Sequence, residues 1–138
     1  MPQSTTWARQ AGHPGYSRTL SRALSSAATA RRLTYTALSC WGLDELADDA
    51  ALVVSELVAN AVQHARRESI RVVVERTGLR TVRVAVADFS RVRPVARAVG
   101  EGDEDGRGLA LVEELAVGWG ADERRWGKVV WAELQAAG

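Results

Sequence analysis

Three groups of residues have the types and spacing to do chemistry. The first lies in Ser55-Glu56-Leu57-Val58-Ala59-Asn60-Ala61-Val62-Gln63-His64, where Glu56, Asn60 and His64 recur every four residues and share one stripe of a helix. A carboxylate such as Glu56 can take a proton from a hydroxyl or a water. An uncharged oxygen such as that of Asn60 suits Mg²⁺. The second is Asp88, followed by Phe89-Ser90 at the end of a β-branched run. A carboxylate there can accept a hydrogen bond from the exocyclic amine of adenine and select a base without covalent chemistry. The third is Asp105-Gly106-Arg107-Gly108-Leu109, glycines leading into an apolar helix. Free N–H groups at a helix start favour phosphate, and glycines let the backbone come close. Taken singly, each has a bland reading: a polar edge on an amphipathic helix, a turn aspartate and a loop-to-helix turn. Neither the Gly-x-Gly-x-x-Gly fingerprint nor a Gly-x-x-x-x-Gly-Lys-[Ser/Thr] loop occurs in the chain.

The surrounding pattern supplies elements to position these groups. Residues 1–16 carry Pro, Gly, Ser, Gln and Thr with little periodicity and read as a flexible leader; residues 17–138 read as one domain. Ser17 to Ser21 suits a short strand. Ser25 or Ser26 can cap a helix carrying Ala28, Arg32, Tyr35 and Leu38, which Gly42 is placed to end in a left-handed turn. A second helix is predicted from about Asp44 to Ala65, with Leu46, Ala50, Val53, Val54, Leu57 and Ala61 as its apolar stripe and acidic residues in its first turns. Ile70 to Arg76 and Arg80 to Ala87 read as a hairpin turning at Thr77-Gly78-Leu79. Asp88 continues the parity of Val82, Val84 and Val86, so it is expected on the buried side, where a carboxylate needs a partner or a ligand. Phe89 to Asp105 reads as a loop and Leu109 to about Ala116 as a short helix. A last hairpin, Val117–Glu123 and Val129–Leu134, is expected around Gly127.

Composition bounds the function. The 138 residues suit one domain, and 46% hydrophobic with 25% charged residues suits a folded one. A net charge of +1 gives no whole-molecule drive toward nucleic acid or acidic lipid. No apolar run approaches the roughly 20 residues of a membrane span, and no secretory apolar core opens the chain, so a cytoplasmic location is expected. Cys40 is the single cysteine, which excludes an internal disulfide and reads as a small buried hydrophobe. Trp41, Trp119, Trp126 and Trp131 read as core or sheet packing.

The order of the three groups resembles the GHKL ATP-binding superfamily. More narrowly it resembles the small bacterial anti-sigma-factor serine kinases. The resemblance runs from about Ser21 to Leu134, through Trp41-Gly42-Leu43, the stretch Val54 to Ala65, Gly106-Arg107-Gly108-Leu109-Ala110-Leu111-Val112 and Trp126-Gly127-Lys128-Val129-Val130-Trp131-Ala132-Glu133-Leu134. It implies an α/β (α+β) fold: a two-layer sandwich with a mixed, mainly antiparallel sheet covered on one face by helices. It further implies ATP and Mg as cofactors, Asn60 as the Mg²⁺ ligand, Glu56 as catalytic base, Asp88 as reader of the adenine amine, and Gly106, Arg107, Gly108 and Leu109 at the phosphates. Residues Arg91 to Asp105 would form the lid.

By the same resemblance the chain would phosphorylate a Ser or Thr on a small antagonist protein and sequester a sigma factor, with a homodimer plausible and no direct contact with nucleic acid or membrane. The alternative is a catalytically inactive nucleotide-sensing interaction module. Two departures from the family pattern favour it: Ser90 where a glycine is common, and Val129 where a threonine is common, the latter removing one hydroxyl from the expected adenine surroundings. The ATPase half of a two-component histidine kinase is a third reading, set aside because the chain is too short for a separate phospho-accepting helix pair.

Overall fold

A computed structural model describes residues 13–64, 68–89 and 109–137. The expected strands and helices are present, with shifted ends. Strand β1 is Gly15–Ser21, α1 is Ser26–Cys40, and a single 3₁₀ turn at Asp44–Leu46 leads into α2, Ala47–His64. Strands β2, Ser69–Gly78, and β3, Thr81–Asp88, form the central hairpin. Residues 109–115 form a short helix, α3, ahead of the hairpin of β4, Gly118–Arg124, and β5, Gly127–Gln135.

The sheet order is β1-β2-β3-β5-β4, and all four described pairings are antiparallel. Period-2 alternation sorts the side chains of this sheet into two faces. Ile70, Val72, Val74, Val82, Val84, Val86, Val130, Ala132 and Leu134 point inward and join one core with α1 and α2. In that core α2 contributes Ala50, Val53, Val54, Leu57, Val58 and Ala61, as its three- and four-residue spacing requires. Helix α1 lies against β1 and β2, α2 against β3 and β5, and Val112 of α3 enters the same core. The result is the expected two-layer α/β arrangement with helices on one face.

Several local expectations are corrected. Strand β1 begins at Gly15, because its pairing with β2 extends to Gly15 opposite Glu75, and Tyr16 stacks on Trp41 with ring centroids 5.7 Å apart. Ser25 sits at the N-cap of α1 without a side-chain cap bond; instead Ser26 Oγ donates to the Ser21 carbonyl at 2.7 Å, tying the strand end to the helix start. The β2–β3 turn falls one residue later than expected, with Gly78 still paired to Thr81 and a bulge between Arg76 and Gly78. Cys40 is exposed, since it closes α1 on the side away from the core. Gly42 does adopt the left-handed backbone (φ 71°) that ends the helix. Residues 1–12 of the expected 1–16 leader and the lid lie outside the described residues, while Gly15 and Tyr16 belong to β1.

Candidate active site

The described candidate residues are carried by the end of β3, by α2 and by the start of α3. Asp88 closes β3, in register with Ile70 of β2 and Lys128 of β5. It is 6% exposed and points to the helix-covered face, as its parity with Val82, Val84 and Val86 demands. The C-terminal end of α2 reaches the same end of the sheet, because only a short connection separates His64 from Ser69 at the start of β2. Arg22, just after β1, fastens this junction. Its N–H donates to the Glu68 carbonyl at 2.7 Å, and its guanidinium donates to the Val62 carbonyl in the last turn of α2 at 3.1 Å. A cation there also complements the negative end of the helix dipole.

Helix α2 buries Val53, Leu57 and Ala61 and leaves Glu56, Asn60 and His64 half-buried along its flank. Packing of α2 on β3 brings this stripe and the strand that carries Asp88 into one unit. Leu109 opens α3, half-exposed, while Gly106, Arg107, Gly108 and Ser90 lie outside the described residues. Among the described residues no group of three His, Cys, Asp or Glu side chains could hold a metal ion by itself. Asn60 fits Mg²⁺ only as one oxygen ligand among several. This is how Mg²⁺ is commonly held where substrate phosphates and water complete its shell.

Register reveals features that sequence reasoning missed. Lys128, the sole lysine, is set directly across from Asp88 on one side and Glu123 on the other. No local pattern marks that placement, since it exists only once β3, β4 and β5 pair. Val129 corrects an expectation. Its side chain is buried on the outer face of the sheet with Val73, Ala85 and Ala87, opposite the face of Asp88. A hydroxyl at this position would point away from the face that carries Asp88. The tryptophans pack as expected: Trp41 and Trp119 against the main core, Trp126 and Trp131 against the outer-face cluster.

Residues 20–133 match the family described as histidine kinase-like ATPase domain. No curated protein matches the chain. Among solved structures it is similar to the histidine kinase domain from Erythrobacter litoralis EL346 blue-light activated histidine kinase. The identity is 24% and the TM-score 0.51, with 79% of this chain and 60% of that chain covered. That likeness bears on the fold alone, and this chain spans less than two thirds of the similar one. The described helices contain no segment long and apolar enough to cross a membrane. With the layered fold, the Glu56–Asn60 flank and buried Asp88 in place, the family match over residues 20–133 settles the assignment: the chain belongs to the histidine kinase-like ATPase domain family.

Proposed function

We propose that the chain is an ATP-dependent protein serine/threonine kinase that acts as an anti-sigma factor, phosphorylating a small antagonist protein. The observation that carries this reading is the pairing of a buried carboxylate, Asp88, at the sheet end with a half-buried Glu56–Asn60 stripe on the helix that covers it. Asp88 accepts from the adenine amine. Asn60 would hold Mg²⁺ as one oxygen ligand among several, and the ion would offset charge on the phosphates. Gly106 and Gly108 supply backbone N–H groups to the phosphates, aided by Arg107, with Leu109 starting the helix behind them. Glu56 takes the proton of the incoming hydroxyl as its oxygen bonds the γ-phosphorus. The bond to the β,γ-bridging oxygen breaks, and ADP leaves with the electron pair. In such transfer the protein mainly positions groups and offsets charge.

The test is transfer of labelled γ-phosphate to candidate antagonist proteins by the intact chain and by Glu56→Ala. A phosphorylated Ser or Thr on the partner, lost by about 10²-fold or more in the variant while ATP binding persists, supports the kinase. ATP binding without transfer to any partner, unchanged by Glu56→Ala, leaves the nucleotide-sensing module as the correct reading. The outer-face position of Val129 removes one of the two arguments for that module.

A further inference from the structure

Gly127 occupies the position in β5 next to Lys128, the register partner of Asp88. It is buried, and its backbone has φ 155°, which side-chain-bearing residues rarely adopt. A Cβ there would run into the Asp88 carbonyl oxygen, and would lie 2.9 Å from Phe89 Cα and 3.0 Å from the Asp88 carbonyl carbon. The bare backbone of Gly127 therefore lies directly against the peptide that carries Asp88. On the outer face the neighbouring residues close a second contact. The Phe89 and Trp126 rings stand 5.3 Å apart at 39°, and Trp126 packs on the cluster of Val73, Ala85, Ala87 and Val129. Asp88 projects to one face while Trp126 and Phe89, the neighbours of Gly127 and Asp88, are held from the other.

From this geometry we infer that the Trp126-Gly127 corner is a positioning device for Asp88: Gly127 and Trp126 are positioning residues that set where the carboxylate meets the adenine amine. The inference rests on the adenine-reading role proposed above and deepens it. A glycine needed only to turn the β4–β5 hairpin would affect folding, and all ligands alike. A glycine that places the Asp88 peptide affects one interaction, the contact with the 6-amino group. Displacing a carboxylate by a few tenths of an ångström weakens a hydrogen bond steeply, because distance and angle both degrade.

The test uses the full chain titrated calorimetrically with Mg-ATP and with Mg-purine riboside triphosphate, which lacks the 6-amino group. The intact protein is expected to prefer ATP by about tenfold, the scale of one hydrogen bond to a charged group. Asp88→Asn and Gly127→Ala should each collapse that preference toward unity, and the double variant should lose no more than Asp88→Asn alone. Should Gly127→Ala fail to fold, as judged by thermal melting, Trp126→Ala takes its place. It should reduce the preference, and Trp126→Phe, which keeps a ring against Phe89, should restore it. Equal loss for both nucleotides with the preference intact, or additive losses in the double variant, overturns the positioning role and leaves adenine reading by Asp88 standing. No preference in the intact protein, or indifference to Asp88→Asn, overturns adenine reading, and the positioning role falls with it.

Discussion

Asp88 and Glu75 are the buried carboxylates among the described residues, at 6% and 3% exposure, on adjacent strands of one sheet but opposite faces. Asp88 lies on the inner face, at the end of β3, in line with three valines and under the helical layer. Glu75 lies within β2 on the outer face, across from Arg83 in register, and Arg83 in turn is across from Glu133. The Arg83 guanidinium sits 4.6 Å from the Trp131 ring centroid, and Thr77 Oγ1 donates to Glu133 Oε2 at 2.7 Å. Glu75 Oε1 is buried without a hydrogen-bond partner, and burial pushes its carboxyl above the usual glutamate range, partly opposed by Arg83 and His13 and reinforced by Glu133. The contrast separates two uses of a buried acid. One is set at a strand end under the helical layer, where the proposed nucleotide would meet it. The other is locked in mid-strand among side chains of the fold, where its charge is a burden on stability.

That contrast can be broken in graded steps. The largest effect belongs to the layer beneath the site: Leu57→Ala removes a side chain 1% exposed in the main core, and urea unfolding should show a loss of about 2–5 kcal/mol. A loss below 1 kcal/mol would mean that α2 does not rest on β3 and β5 as described. Next, Asp88→Asn should weaken ATP binding by about 1.5–3 kcal/mol, the worth of a hydrogen bond to a charged acceptor, while the melting temperature moves little. Calorimetric titration beside a thermal melt separates the two quantities, and a large stability loss with unchanged affinity would make Asp88 a structural carboxylate and not a reader of the base.

Val129→Thr is a smaller and sharper test. It should cost stability by about 1 kcal/mol, since a hydroxyl enters an apolar cluster, and leave ATP affinity unchanged. A tighter nucleotide complex would show that this position does face the base. The smallest effect is that of Glu75 on the pH dependence of stability. A carboxyl whose folded value is raised binds its proton more tightly in the native state, so stability falls as pH rises from the ordinary glutamate value through the raised one. Glu75→Gln should flatten that decline and leave the chain more stable near neutral pH, with nucleotide affinity untouched. Urea unfolding of both proteins from pH 4 to pH 8 measures it, and parallel curves would exclude Glu75 as the source.

Much of this was legible in the sequence because it depends on local repetition. The apolar stripe of α2, the alternation in β2 and β3 and the left-handed Gly42 follow from periods and backbone preferences that neighbours in the chain determine. The inward direction of Asp88 followed from parity with three valines. Where reading failed, the deciding contact was remote. The start of β1 depends on pairing with Glu75, sixty residues on. The exposure of Cys40 depends on which side of α1 meets the sheet. The irrelevance of position 129 to the Asp88 face depends on the register of β3 with β5, because a shift of one residue would exchange the two faces.

The amino-acid sequence by itself therefore determined which residues could serve, and on which side of its own helix or strand each would lie: Glu56 and Asn60 on one flank, Asp88 on the face of Val86. Periodicity suffices for that, since side-chain direction repeats every 3.6 or 2 residues. Only the tertiary structure decided which of them meet and what surrounds them. Packing of α2 across β3 and β5 joined the helix that carries Asn60 to the strand that carries Asp88. Antiparallel register set Lys128 opposite Asp88 and the bare backbone of Gly127 against its carbonyl. These are contacts between segments far apart in the chain, and they come into being only when the hydrophobic faces of helix and sheet close on each other.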